Sequence, residues 1–170
     1  MAIMAYIGFG ANLGNREATF HKALETLSGL EGITVCNSSK LYDTEPVNLS
    51  DGGPRFLNAA IEIETELSPK QLASKMREVE LCLGKSREHR SDISRVIDLD
   101  LLLFGNEIVR DEGLEVPHPR MHQRGFVLVP LAEIAPDVLH PMLKHTIDEL
   151  VSALSQKEIG HVTSFRSSVN

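Results

Sequence analysis

The chain has 170 residues, of which 42% are hydrophobic and 24% are charged, and its formal net charge is −7. This length supports one domain with a substantial core and is too short for two domains of ordinary size. The acidic balance argues against a general nucleic-acid-binding protein, because such proteins carry a surplus of Lys and Arg. We expect a single domain at residues 1–161 and a polar, frayed tail at residues 162–170.

The apolar amino-terminal run has no basic leader and is interrupted by Gly8 and Gly10, so it predicts a first strand rather than a signal peptide. No transmembrane segment follows in the sequence. Cys36 and Cys82 lack a CxxC spacing and have no His or Cys companions at zinc-finger spacing, which favours two reduced, packed thiols. We therefore expect a cytoplasmic monomer with neither membrane nor nucleic-acid partners.

The first half of the chain opens with an apolar run, a glycine-rich turn and a segment with apolar residues at helical spacing. A later stretch rich in Asn, Ser, Asp, Gly and Pro predicts an exposed loop, which is a candidate lid. The predicted segments are a strand at 6–9, a glycine turn at 10–14, a helix at 16–30, extended segments at 32–37 and 40–42, and the loop at 46–55.

The second half begins with a strand, indicated by alternating apolar residues at 56–66. Ser68 and Pro69 are a preferred cap and first residue of a helix, which Gly84 ends. The order of elements favours an α+β, ferredoxin-like fold, with helices on one face of an antiparallel sheet. The remaining segments are a charged loop at 85–95, a strand at 96–104, a Pro-rich connector around 117–119, an apolar segment at 126–131 and a helix at 147–154.

The most informative residues are Asp98 and Asp100, which the period of two puts on one face of the predicted strand. Leu99, Leu101 and Leu103 are expected on the opposite face. Two adjacent carboxylates resist ionising together, and a hard divalent cation such as Mg²⁺ removes that penalty. The alternative is that they form the solvated face of an amphipathic strand.

A cluster of basic residues precedes this strand: Lys85, Arg87, Arg90 and Arg95. Phosphoryl transfer requires cations around developing negative charge, and the guanidinium fork matches pairs of phosphate oxygens. By itself the cluster is also consistent with a solvated loop, but its position beside the aspartates favours a phosphate site. The sequence has neither a P-loop nor a GxGxxG fingerprint, so its glycines are expected to serve the turn and helix packing.

A second basic group lies in the connector, where His118 stands between two prolines and is followed by Arg120 and Arg124. The prolines stiffen the backbone around His118 and make it a candidate for phosphate contact. His118 and His122 are four residues apart, but Pro119 and the absence of an HExxH glutamate argue against a zinc pair. An exposed loop histidine is the alternative.

With these motifs in place, the sequence resembles the 6-hydroxymethyl-7,8-dihydropterin pyrophosphokinase family over residues 4–142. The motifs that carry the resemblance are Gly-Ala-Asn-Leu-Gly at 10–14, Phe-Leu-Asn-Ala-Ala at 56–60, Asp-Leu-Asp at 98–100, Val-Pro-His-Pro-Arg-Met at 116–121, Arg-Gly-Phe at 124–126 and Glu-Ile-Ala-Pro at 133–136.

The resemblance implies transfer of pyrophosphate from ATP to 6-hydroxymethyl-7,8-dihydropterin, with AMP as the second product. It further implies two Mg²⁺ ions held by the aspartate pair, and two loops, 46–55 and 85–94, that close over the ligands. The implied catalytic residues are Asp98, Asp100, Arg95, Lys85 and Arg87; those for ATP are Glu80, His118 and Arg124; those for the pterin are Thr44, Val47, Phe56, Asn58 and Phe126.

The sequence departs from the family pattern at three places. Asp92–Ile93–Ser94 replaces an aromatic residue and a Gly-Pro pair, Lys85 stands where arginine is frequent, and Gly113 and Glu115 stand where basic or hydroxyl side chains assist ATP. Two other functions stay open at this stage. One is a ligand-binding module on the same scaffold, and the other is a kinase that transfers only the γ-phosphoryl group.

Overall fold

The computed structural model describes residues 1–45, 55–85 and 96–167. Strands and helices follow one another in short runs along this part of the chain. In chain order they are β1 (Ile3–Ala11), α1 (Arg16–Ser28), β2 (Ile33–Ser38), β3 (Tyr42–Thr44), β4 (Phe56–Thr65), α2 (Pro69–Cys82), β5 (Asp98–Phe104), β6 (Val109–Asp111), β7 (Leu114–Val116), a 3₁₀ helix (Met121–Gln123), α3 (Gly125–Ile134), α4 (Ile147–Ser152), α5 (Gln156–Gly160) and β8 (Val162–Ser164).

The main sheet is antiparallel and has the strand order β5-β1-β4-β3-β8, with β2 also paired to β4. Strands β6 and β7 form a separate hairpin, and β7 lies against β5. The long strands β1 and β4 occupy the centre because each is apolar along one face and pairs on both edges. This architecture confirms the predicted α+β, ferredoxin-like class.

Helices cover both faces of the sheet, so the expectation of helices on one face alone was wrong. On one face, α1 and α2 pack over the odd-numbered residues of β1, such as Ile7 and Phe9. On the other face, α3 and α4 pack over Tyr6, Leu102 and Leu103. The second layer was missed because the apolar segment at 126–131 gave no helical period by which to place it.

Helix α2 has the cap, the buried stripe and the terminating glycine that its sequence predicts. The Ser68 side chain accepts a hydrogen bond from the Gln71 amide, and the Gln71 side chain accepts one from the Ser68 amide, which completes a capping box. Leu72, Met76 and Val79 point into the core. Gly84 follows the helix with a φ of +105°, a conformation that favours glycine.

Strand β5 contains an irregularity that changes which face its leucines occupy. Ile7 of β1 pairs with Leu101 and Tyr6 pairs with Leu103, so Leu102 is an extra residue in β5. Leu101 therefore faces the α1–α2 side, whereas Leu103 faces the α3–α4 side. The prediction that Leu103 shares the face of Leu99 and Leu101 was wrong for this reason.

Two further expectations need correction. The thiols of Cys36 and Cys82 are free, as predicted, but both are exposed rather than packed. Residues 162–170 were expected to form a frayed tail, yet Val162–Ser164 are β8 and pair with β3. None of the helices in the described parts of the chain has the length and apolarity needed to cross a bilayer.

Candidate active site

Asp98 and Asp100 begin β5 at the edge of the main sheet. Their partners in β1 are Gly10 for Asp98 and Gly8 for Asp100, so both carboxylates lie on one face of the strand, as predicted. Asp98 is half-buried and Asp100 is exposed. This face is the one covered by α3 and α4 further along the sheet.

A row of residues crosses the sheet from this aspartate pair. Asp98 pairs with Gly10, Gly10 with Asn58 of β4, and Asn58 with Tyr42 of β3. Gly10 leaves the position between the carboxylate and the amide without a side chain, and a Cβ there would lie 3.7 Å from Asn58 Nδ2. Gly10 was expected to serve the turn and helix packing, but it lies within β1 and forms part of an open floor.

Asn58 is held in one orientation by its neighbour in β3. The Thr44 hydroxyl donates to Asn58 Oδ1 at 3.0 Å, and both side chains are almost fully buried. Because the amide oxygen is engaged, the Nδ2 hydrogens are the groups that Asn58 can offer to a ligand. The two predicted pterin-binding residues are therefore brought together by the pairing of β3 with β4.

Lys85 joins two predicted site residues. Its Nζ lies 2.6 Å from Glu80 Oε2 and 2.8 Å from Asp98 Oδ1. Glu80 Oε2 also accepts the Leu99 amide at 3.1 Å. Burial raises the pKa of Glu80, although Lys85 and this amide oppose the change. Burial lowers the pKa of Lys85, but the two carboxylates outweigh it and the net pKa is raised.

A cleft of 520 Å³ opens beside the aspartate pair, between α2, β5 and the β6–β7 hairpin. The predicted residues Glu80, Asp100 and His118 all line it. Arg77 also lines the cleft and was missed, although its spacing of three from Glu80 places the two on one helix face. Glu115 contributes a negative charge to the wall, in agreement with the departure noted in the sequence.

His118 faces Asp100 across this cleft. Its backbone N–H donates to the Leu102 carbonyl at 3.0 Å, and its Nδ1 accepts the Arg120 amide at 3.2 Å. The neutral ring therefore carries its proton on Nε2. Burial lowers the pKa of His118, against the opposing effect of Asp100. Although one side of Asp100 is exposed, the surrounding cleft walls desolvate its carboxyl and raise its pKa, which His118 partly offsets.

Arg124 and Phe126 stand at the start of α3, and the Arg124 guanidinium lies 5.4 Å from the centre of the Phe126 ring. Helix α3 packs against β4 and β3, where Phe56 pairs with Thr44. Helix α3 therefore lies against the strand that carries Asn58. Three predicted site residues, Val47, Arg87 and Arg95, lie outside the described residues, as do most of the two predicted closing loops.

A comparison with models of known families matches residues 6–136 to 7,8-dihydro-6-hydroxymethylpterin-pyrophosphokinase. The chain belongs to this family. The matched residues include both aspartates, Asn58, His118 and the start of α3, so the predicted resemblance is confirmed. The chain is accordingly an enzyme that transfers pyrophosphate from ATP to hydroxymethyldihydropterin in folate synthesis.

Two bacterial relatives carry the name 2-amino-4-hydroxy-6-hydroxymethyldihydropteridine pyrophosphokinase. The protein from Bacillus subtilis is 44% identical over 135 residues, which are 79% of this chain and 80% of the relative. The protein from Haemophilus influenzae is 40% identical over 157 residues, 92% of this chain and 96% of the relative. The alignment therefore covers four fifths of the Bacillus protein and nearly all of the Haemophilus protein.

Solved structures support the same fold. A Plasmodium falciparum HPPK-DHPS structure with pteroate superposes with a TM-score of 0.71 at 13% identity. The match covers 89% of this chain and 42% of the Plasmodium chain, so this pyrophosphokinase spans less than half of that protein. At this identity the likeness bears on the fold alone.

Proposed function

We propose that Asp98 and Asp100 hold two Mg²⁺ ions during pyrophosphate transfer from ATP to the hydroxymethyl oxygen of 6-hydroxymethyl-7,8-dihydropterin. The pterin oxygen attacks the β-phosphorus of ATP, and AMP leaves. The observation that carries this proposal is the placement of the aspartate pair, which lies between the 520 Å³ cleft and the row containing Asn58. A nucleotide and a pterin bound on either side would meet at the carboxylates.

The donor set fits Mg²⁺. Both carboxylates supply hard oxygen ligands, and Lys85 Nζ already places a cation 2.8 Å from Asp98. Among the described residues no three His, Cys, Asp or Glu side chains form a metal-binding group. A group of two carboxylates is consistent with Mg²⁺, because this ion characteristically binds through one or two carboxylates plus substrate phosphates. When bound, Mg²⁺ would supply charge neutralisation for the phosphates and acidify the attacking hydroxyl.

Lys85, His118 and Arg124 are the described residues that we assign to the phosphates, together with Arg87 and Arg95. Two of the three N–H donors of Lys85 go to Glu80 and Asp98, and the third can bind a phosphate oxygen. Nε2–H is the donor that His118 offers, because Nδ1 accepts a backbone amide. Glu80 belongs to the nucleotide side and also orients Lys85.

On the pterin side we assign one amide side chain and two aromatic rings. Asn58 donates from Nδ2 to an acceptor on the heterocycle, and Phe56 and Phe126 stack against the two faces of the ring. Thr44 fixes the Asn58 amide, and Thr44 and Val47 contribute backbone groups.

We also place the enzyme in the cytoplasm as a monomer. The free thiols of Cys36 and Cys82 suit a reducing compartment. Helices on both faces of the sheet cover the two apolar clusters within one chain. The absence of nucleic-acid partners is supported by the net charge of −7.

Product analysis tests the function directly. The protein is mixed with ATP, Mg²⁺ and 6-hydroxymethyl-7,8-dihydropterin, and a parallel reaction omits the pterin. We expect pterin-dependent AMP and pterin diphosphate. Asp98→Asn should reduce turnover by about 100-fold or more while the fold persists, because the carboxylate and not its volume is required. Asp137→Asn, at an exposed position outside the cleft, is the matched control.

Other products would contradict the proposal in distinct ways. ADP in place of AMP would indicate transfer of the γ-phosphoryl group alone. Binding of ATP that is insensitive to Mg²⁺ and to Asp98→Asn, without any AMP, would indicate a binding module. An Asp98→Asn variant with full activity would remove the aspartate pair from the mechanism.

A further inference from the structure

The first turn of helix α3 receives no capping hydrogen bond from its own N-cap side chain, that of Arg124. Instead, the Gly125 N–H donates to Glu158 Oε2 at 3.3 Å, and Glu158 lies in α5, 33 residues further along the chain. A carboxylate at a helix N-terminus satisfies a free N–H group and interacts favourably with the helix dipole. Helix α5 therefore caps α3.

The two helices approach each other most closely at Gly125. A Cβ at this position would lie 2.6 Å from the Glu158 carbonyl oxygen, which belongs to the backbone and cannot rotate away. Gly125 is buried and sits between Arg124 and Phe126. The glycine of the Arg-Gly-Phe motif is thus required by the contact with α5, and this contact fixes the first turn of α3, in which Phe126 lies.

The segment that follows α5 reaches the other wall of the proposed pterin pocket. In the pairing of β8 with β3, Val162 lies opposite Thr44. The Thr163 hydroxyl donates to the Asp43 carbonyl at 3.2 Å, and His161 Nδ1 lies 3.0 Å from Glu45 Oε2. Thr44 is the residue whose hydroxyl orients Asn58. Residues 155–164, here named the C-terminal clamp, therefore contact α3, which carries Phe126, and β3, whose Thr44 orients Asn58.

We propose that the C-terminal clamp is a positioning element of the pterin pocket and that Glu158 is its principal positioning residue. The proposal rests on the assignment of Asn58 and Phe126 to the pterin. The clamp lies beyond residues 6–136, which the family model matches. It contributes no residue to the 520 Å³ cleft, which is lined by α2, β5, the β6–β7 hairpin and the residues that follow it. Loosening the clamp should therefore affect the pterin more than ATP.

The contact can be perturbed from either side. Glu158→Ala removes the acceptor, and Gly125→Ala pushes α5 away from α3. Each should raise KM for the pterin about 5- to 10-fold, as expected for loss of a helix cap that orders a ligand-binding residue. KM for ATP should change less than about twofold. Glu158→Gln keeps an acceptor oxygen and should restore pterin KM to near the wild-type value.

Two matched controls lie on the same helix. Lys157 is exposed beside Glu158, and a Cβ at Gly160 would have no atom within 4 Å. Lys157→Ala and Gly160→Ala should leave both KM values unchanged. Thermal unfolding of all variants separates a loss of stability from a change in the pocket, because a purely structural contact would lower Tm without separating the two KM values.

Phe126→Ala distinguishes failure of the clamp from failure of the pocket assignment. If Phe126→Ala leaves pterin KM unchanged, the pocket assignment fails, and the proposal fails with it. If Phe126→Ala raises pterin KM whereas Glu158→Ala and Gly125→Ala do not, the clamp alone is overturned. Equal increases in KM for pterin and ATP, or absence of rescue by Glu158→Gln, would overturn it as well.

Discussion

Gly10 matters to the site because of the side chain that it lacks. It lies between Asp98 and Asn58 in the row across the sheet. Gly10→Val should suit the strand conformation and keep the fold, since β-branched residues are favoured in strands. Its methyl groups would occupy the floor between the carboxylate and the amide, and we expect kcat/KM for the pterin to fall about 100-fold. Steady-state kinetics with varied pterin provides the measurement.

A comparison of Gly10→Ala with Gly10→Val tests whether side-chain size causes the fall in kcat/KM for the pterin. A Cβ at Gly10 would lie at an ordinary contact distance of 3.7 Å from Asn58 Nδ2, so Gly10→Ala should have an intermediate effect. Tm should stay within a few degrees of wild type in both variants. Full activity of Gly10→Val would show that ligands do not use this part of the sheet.

Individual site residues were predictable where one strand or one motif carried them. The period of two was sufficient to pair Asp98 with Asp100. The hydrogen bond between Thr44 and Asn58 was not predictable, because it depends on the register between β3 and β4. The capping role of Glu158 was likewise invisible, since only tertiary packing brings α5 to α3.

At the scale of elements, the capping box makes α2 the helix whose stability depends most clearly on a local motif. Ser68→Ala removes the side-chain acceptor of the Gln71 amide. We expect the free energy of unfolding to fall by about 1 kcal/mol and Tm to fall by about 2–4 °C. Urea and thermal unfolding measure both quantities, and KM values should not change because the cap lies at the end of α2 opposite Glu80.

Lys70→Ala provides the control, because Lys70 is an exposed residue in the first turn of the same helix. It should leave the free energy of unfolding nearly unchanged. A Ser68→Ala variant as stable as Lys70→Ala would mean that water replaces the cap without cost.

Long elements were predictable, whereas the three-residue strands after β5 were not. The apolar period identified β1, α1, β4 and α2, because each extends over nine or more residues. Strands of three residues, such as β6, β7 and β8, hold too few side chains for a period to appear. The polar composition of residues 162–170 suggested a tail, whereas backbone pairing with β3 decides the conformation of Val162–Ser164.

For the whole molecule, the two tyrosines and the absence of tryptophan give a direct measure of folding at high pH. Burial, and then hydrogen bonds to Glu62 and Glu133 respectively, raise the pKa of Tyr6 and of Tyr42 to about 12. The folded state therefore binds more protons than the unfolded state between about pH 10 and 12. We expect the free energy of unfolding to decrease as pH rises through this interval.

Near-ultraviolet absorbance of the phenolate measures the pKa values of the two tyrosines directly. The native protein should titrate near pH 12 and the urea-unfolded protein near pH 10. Tyr6→Phe should halve the amplitude and leave the midpoint of Tyr42 in place. A native midpoint near pH 10 would show that neither phenol is held in its protonated form by the fold.

The extra residue at Leu102 has a consequence for how this protein tolerates changes of length. Upstream of it, β5 directs Leu99 and Leu101 to one core; downstream, it directs Leu103 to the other. Substitution among these leucines alters packing only. Deletion of Leu102 would restore strict alternation with Leu101 and Leu103 still on opposite faces, so the pairing with β1 would be kept. Insertion of a residue between Asp100 and Phe104 would instead turn either the carboxylates or the distal apolar residues to the wrong face. This strand can therefore lose a residue more readily than it can gain one.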